Sequence, residues 1–208
     1  MFIMNGFTAA GKSYIAQHIT NRLPNTKVFH TAAVRKELNL QPDSSNEALG
    51  EYKFNLADKV FIDVVSPIVY GKMLERAKKE IAMGNNAILD GSFSYKKQRT
   101  PIYEYAHSEN VNICVIQVSC SDENEIRRRL GSRTVSADNT FDEADGWQSY
   151  QSTVELAESV EDDSTPTGTP PSILKYDSFN GNINLEFVSD DMTSNSVFIR
   201  LVDILKKI

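Results

Sequence analysis

The chain has 208 residues, 22 Lys and Arg against 28 Asp and Glu, a formal net charge of −6, a pI of about 5.1 and two cysteines. This length suits one domain with at most an appendage, and it is enough for a sizeable core. The acidic balance argues against a general nucleic-acid binder. No apolar run approaches a membrane span, and Cys114 and Cys120 lack a C-x-x-C spacing, so they read as core thiols in a reducing compartment.

Phe2-Ile3-Met4 is a short apolar run suited to a buried strand. It begins at residue 2, which leaves no room for a signal peptide, so a cytoplasmic location is expected. Gly6-Phe7-Thr8-Ala9-Ala10-Gly11-Lys12-Ser13 follows and fits G-x-x-x-x-G-K-[ST]. The two glycines allow a backbone path that turns several N–H groups onto one anion, and the helix starting near Lys12 adds its positive end. Lys12 is placed to reach the β- and γ-phosphates, and the Ser13 hydroxyl to ligate Mg²⁺. Ile15, Ala16, Ile19 and Leu23 then share one helical face, and Pro24 ends that helix. The motif therefore has the strand–loop–helix flanks it needs, and it implies a nucleoside triphosphate without naming the acceptor.

Val28-Phe29 predicts a second strand, and a short helix follows over 33–38 with Thr31 as its cap. Residues 47–65 read as helical up to Ser66-Pro67. There a new helix is expected, with Ser66 capping and Tyr70, Met73, Leu74, Ala77 and Ile81 inward. Ala87-Ile88-Leu89 predicts a third strand ending in Asp90, and residues 95–109 a helix begun or interrupted near Pro101. Val111 to Val118 is the longest β-like run and should be a central strand. Ser121 is expected to cap a helix carrying Arg127, Arg128, Arg129 and Arg133. Residues 147–159 suit a helix and 159–172 a flexible loop. Ile173 to Val188 predicts a hairpin turning at Asn180-Gly181, followed by a closing helix. Strands alternating with helices imply an α/β fold with a parallel sheet of about five strands and helices on both faces.

A phosphotransferase needs metal-side, lid and acceptor groups beyond the loop. Asp90, at a strand's carboxyl end, is placed to hold Mg²⁺ through water or to touch the acceptor; the competing reading is a turn aspartate. Arg129 and Arg133 are four apart and share a helical face, so both can point at the phosphates; the competing reading is a solvated basic face. Arg35 is a candidate clamp for an anionic part of the acceptor, against a surface ion pair.

The chain resembles the P-loop kinases of the AAA-33, or zeta-toxin-like, group. That group includes polynucleotide 5′-kinases, zeta toxins, chloramphenicol phosphotransferase and gluconate-kinase-like enzymes. The resemblance rests on Gly6–Ser13, on residues 30–36, on Ala87 to Phe93 with Gln98-Arg99, and on Arg129 to Arg133; the 142–150 stretch matches more weakly. It implies a P-loop kinase core over 1–158 with a lid near 127–146, the flexible loop at 159–172, and a C-terminal hairpin and helix packed on the core over 173–208. It also implies ATP, with adenine as base, as the donor and Mg²⁺ as the metal. In that group an aspartate three residues before the arginine orients or deprotonates the acceptor hydroxyl, and here that position is Ala32. A methyl group cannot accept a proton. The favoured reading is a base-removing substitution introduced into the chain; another group doing that work, or a binding-only pseudokinase, are the alternatives.

Arg35, Tyr70, Ser92 and Arg99, with Tyr52, Asn55 and Phe93, are candidate acceptor contacts. The expected acceptor is a hydroxyl on a small molecule: a nucleoside, sugar, nucleotide sugar or antibiotic. A polynucleotide 5′-hydroxyl is the alternative within the class, and the acidic charge counts against it. A nucleotide-binding regulatory protein is the alternative outside it. No membrane partner is expected, and the oligomeric state is not readable.

Overall fold

The computed structural model describes residues 1–40, 59–133 and 143–208. Six strands form one sheet: β1 (Phe2–Asn5), β2 (Thr26–His30), β3 (Asn86–Asp90), β4 (Cys114–Ser119), β5 (Ser172–Asp177) and β6 (Ile183–Glu186). Their spatial order is β2-β3-β1-β4-β5-β6, with the first five parallel and β6 antiparallel to β5. The five-stranded parallel sheet expected from sequence is present, and the hairpin extends its edge.

The strands are apolar on both faces because helices cover both. Phe2, Met4, Ile88, Ile116 and Leu174 meet α1 (Lys12–Thr20) and α8 (Ser196–Leu205) on one side. Ile3, Leu89, Val115 and Ile173 meet α3 (Ser66–Ala82) and α4 (Lys96–Ser108) on the other. The remaining helices are α2 (Thr31–Glu37), α5 (Glu123–Arg133), α6 (Glu143–Leu156) and the short α7 (Asp190–Thr193). Among the described residues no helix is long and apolar enough to cross a membrane.

Several boundaries differ from the sequence expectation for local reasons. The central strand starts at Cys114, not 111, because its partner β1 starts only at Phe2. No cap separates the chain before Ser66 from α3. A π-helical turn at Phe61–Val65 runs directly into α3, and the Ser66 hydroxyl donates to the Ile62 carbonyl (3.1 Å). The wider turn leads into Pro67, which lacks an N–H for the ordinary ladder. Pro101 lies inside α4, which starts at Lys96 with the Tyr95 N–H donating to Gln98 Oε1 (3.1 Å). Asp122, not Ser121, caps α5, its carboxylate accepting from the Glu125 N–H at 2.7 Å. In α2 the cap position is His30, and Thr31 is already helical.

Candidate active site

The phosphate-binding loop lies where the motif places it, between β1 and α1. Gly6 has φ 140°, and a Cβ there would stand 2.2 Å from the Val118 carbonyl oxygen, so only glycine fits. Phe7, Thr8, Ala9 and Ala10 form the arch, with the Ala10 N–H bonded to the Phe7 carbonyl (3.2 Å) and Ala9 at φ 65°. Gly11 is the cap residue of α1 and supplies no side chain to its first N–H groups, which suits an anion there. Lys12 Nζ rests on the Phe7 carbonyl at 2.7 Å.

The carboxyl end of β3 brings Asp90 to this loop. Ser13 Oγ donates to Asp90 Oδ2 at 2.6 Å, and His30 Nδ1 meets the same oxygen at 2.7 Å. Asp90 is 4 % exposed. Burial pushes its carboxyl up, but the hydrogen bonds from His30 and Ser13 and the charge of Lys12 outweigh that and hold it below the usual carboxylate range. The same bond pushes the His30 imidazole up, partly opposed by desolvation. Both bonds fall on Oδ2, so Oδ1 has no hydrogen bond from a described residue. A serine hydroxyl beside one ionised carboxylate fits Mg²⁺, which binds through few protein oxygens and completes its shell with phosphates and water.

Arg129 approaches from α5. Its guanidinium donates to the Ala9 carbonyl (3.1 Å) and the Ser178 hydroxyl (2.8 Å), and Glu125 holds its Nε (2.7 Å). Ile126 and Leu130 pack on Ala9, and Trp147 and Tyr150 of α6 close over them. Phe7 meets Tyr150 edge-on at 5.9 Å, and Arg127 stacks over Trp147 at 3.5 Å. Thus α5 and α6 are fastened to the loop by one arginine and an aromatic patch. Arg133 ends α5, and its side chain lies outside the described residues, as do Tyr52, Asn55 and the lid stretch 134–142.

The expected acceptor contacts separate. Ala32 is exposed in the first turn of α2, and Arg35 is half-buried one turn on. Tyr70 is 6 % exposed, stacks on Phe93 at 4.2 Å and accepts from the Phe93 N–H at 3.3 Å. Burial pushes its phenol up to about 12. It offers no open face and instead shapes the turn after Asp90. In that turn a Cβ on Gly91 would meet Tyr70 Cε1 at 2.7 Å and Thr31 Cγ2 at 2.9 Å, and Phe93 has φ 46°. Ser92 stands half-buried beside the loop, its carbonyl accepting from the Gly6 N–H (3.3 Å).

Arg99 corrects the sequence reading. It is 0 % exposed, and its guanidinium forks onto Asp163 (2.6 and 2.8 Å) and donates to the carbonyls of Phe93, Glu158 and Ser159. Tyr103 donates to the same carboxylate at 2.7 Å. The guanidinium is sealed from solvent and from any acceptor, so Arg99 is a structural anchor. Asp163 lies in the 159–172 loop, which is thereby pinned to α4.

His30 was missed from sequence as a site residue. Its signal is register: β2 and β3 pair in parallel with His30 opposite Asp90, which a histidine at a strand end shows only once the pairing is known.

Comparison with known proteins agrees with this geometry. A family model described as AAA domain, AAA_33, matches residues 1–156, and the chain belongs to that family. Kti12 from Chaetomium thermophilum, solved with ADP-AlF3, superposes with a TM-score of 0.56 at 14 % identity, covering 99 % of this chain and 95 % of that one. A gluconokinase from Sinorhizobium meliloti 1021 gives a TM-score of 0.52 at 10 % identity, covering 99 % and 91 %. At these identities the likeness is one of fold, that of a P-loop kinase. No curated protein matches the chain.

Proposed function

We propose that this AAA_33 protein moves the γ-phosphate of ATP to a hydroxyl of a small molecule in the presence of Mg²⁺. The observation that carries the reading is the junction of Ser13, Asp90 and His30 at the mouth of the phosphate loop. A structural turn aspartate would not need an ionised carboxylate shared by the motif serine and a histidine.

Transfer forms a bond between the acceptor's hydroxyl oxygen and the γ-phosphorus. It breaks the bond from that phosphorus to the oxygen bridging to the β-phosphate, whose electron pair leaves with ADP, and the hydroxyl proton passes to water. In this reading the loop backbone and α1 hold the β-phosphate, Lys12 swings from the Phe7 carbonyl to the γ-phosphate, and Arg129 stabilises its developing charge. Ser13 and Asp90 would hold Mg²⁺, whose positive charge would offset that of the phosphates. His30 fixes the Asp90 carboxylate. Arg35 and Ser92 flank the route of the acceptor, and Arg133, the last residue of α5, is a second candidate cation.

Ala32 makes this form slow, because no carboxylate orients the hydroxyl. Ala32→Asp is expected to raise the transfer rate by on the order of 10²-fold; equal turnover of the two forms would remove position 32 from the mechanism. The exposed Ala32 methyl also supports a second reading, a nucleotide-binding regulatory protein. Incubating the chain with γ-labelled ATP and separate pools of nucleosides, sugars and 5′-hydroxyl oligonucleotides decides between them. Label in a small-molecule pool supports the kinase, and label in the oligonucleotide pool assigns a polynucleotide 5′-kinase. Nucleotide retained with no product, even from the Ala32→Asp form, supports the binder.

A further inference from the structure

A cleft of about 330 Å³ lies between α6 and the carboxyl ends of β1, β4 and β5. Strand register builds its floor. Ile3, Val115 and Ile173 lie side by side on this face and are all fully buried. The next row on the same face is Asn5, Gln117 and Lys175, so the surface turns from apolar to polar in one pleat. Two members of that row are committed. Asn5 Nδ2 donates to the carbonyls of Ser92 (3.0 Å) and Phe93 (3.1 Å), and the Lys175 ammonium pairs with Glu161 and Glu186. The Gln117 amide makes no hydrogen bond to any described residue. Ser94 also lines the cleft, but its hydroxyl is closed off from it, so Gln117 is the polar side chain left to meet a bound molecule.

The lining defines that molecule. The Gln117 amide both donates and accepts, as does the edge of a nucleobase. Phe7, Val154 and Ala157 give apolar walls. Glu158 also lines the cleft, its carboxylate accepting from the Lys96 N–H, and the Lys175 charge is already neutralised, so no positive charge is left to attract an anion. The volume is at the small end for ligand pockets, which suits a nucleoside and excludes an oligonucleotide. The cleft also adjoins the chemistry: Phe7 lines it while its carbonyl holds Lys12, and Ser92 lines it two residues beyond Asp90. We propose that this cleft seats the acceptor, a neutral nucleoside-sized molecule recognised by the Gln117 amide. The inference rests on the phosphotransferase reading and narrows its substrate.

The test uses the full chain with adenosine, guanosine, cytidine, uridine and a 5′-hydroxyl dodecanucleotide as probes, titrated with and without a non-hydrolysable ATP analogue and Mg²⁺. The expected result is binding of at least one nucleoside, weakened about 10-fold or more by Gln117→Leu and by Ala157→Trp, which fills the cleft from its rim. Binding of the ATP analogue should stay within about twofold in both variants, which also shows that they fold. Loss of ATP-analogue binding by the unsubstituted chain overturns the phosphotransferase reading together with this one. Retained ATP-analogue binding overturns this inference alone in three cases: no nucleoside binds, only the dodecanucleotide binds, or nucleoside binding is indifferent to both substitutions.

Discussion

Arg99 and Arg129 are the same side chain in opposite settings. Arg99 is sealed between α4 and the loop that follows α6, with its fork on Asp163 and its other donors on three carbonyls. Arg129 stands 23 % exposed at the rim of the phosphate loop, bonded to two carbonyls, one hydroxyl and Glu125. Both lie beside sequence motifs, and both read from sequence as functional arginines. What separates them is whether a carboxylate from a distant element buries the guanidinium or a neighbour on the same helix merely steadies it. The first arrangement seals the guanidinium into the fold; the second leaves it partly exposed at the phosphate loop.

Substitutions should break this pair of roles apart. Arg99→Met leaves the Asp163 carboxylate buried and unpaired, which should cost about 3–5 kcal/mol. In a chain of this size that is a fall in Tm on the order of 6–20 °C, read by calorimetry. Adding Asp163→Leu should restore most of the loss, because the pair's worth is mainly the penalty of leaving one partner alone. On the functional side, Lys12→Ala should slow phosphoryl transfer by ~10²–10³-fold with Tm nearly unchanged, measured by initial rates at saturating ATP. Arg129→Ala should weaken ATP binding by about 1.5–3 kcal/mol, the worth of hydrogen bonds to a charged group, as read by titration calorimetry. An Arg129→Ala protein that loses as much Tm as Arg99→Met would erase the distinction. The smallest effect belongs to Asp122→Ala, which removes the cap of α5 that carries Arg129. It should cost about 1 kcal/mol in thermal unfolding and leave ATP affinity nearly intact.

The donor half was legible because its requirements are local. Gly6, Gly11, Lys12 and Ser13 each answer a need met within eight consecutive residues, and Asp90 announces itself by ending an apolar strand. The rest was not legible because distant pairings create it. His30 matters only through its register with Asp90, and Arg99 is claimed by a carboxylate 64 residues away. That partner sits in a stretch of threonines, prolines and a glycine that reads as a free loop, and no local pattern distinguishes Asp163 from its acidic neighbours. The cleft under α6 is the extreme case. Its floor needs residues 5, 117 and 175 in one row, and no single segment carries that information. The Ser66 expectation failed for a smaller reason: a π-helical turn leads into Pro67 without a break in the helix.

A kinase site of the proposed kind transfers phosphate to an alcohol instead of merely holding or hydrolysing ATP. The most direct measurement is a single-turnover reaction with γ-labelled ATP, Mg²⁺ and the acceptor pool that labels best, run for the unsubstituted chain and for Lys12→Ala. Counting should find the label in an organic phosphate ester in excess of inorganic phosphate, with the ester lost in the Lys12→Ala protein. Label found only in inorganic phosphate, or ester formation unaffected by Lys12→Ala, would contradict the account.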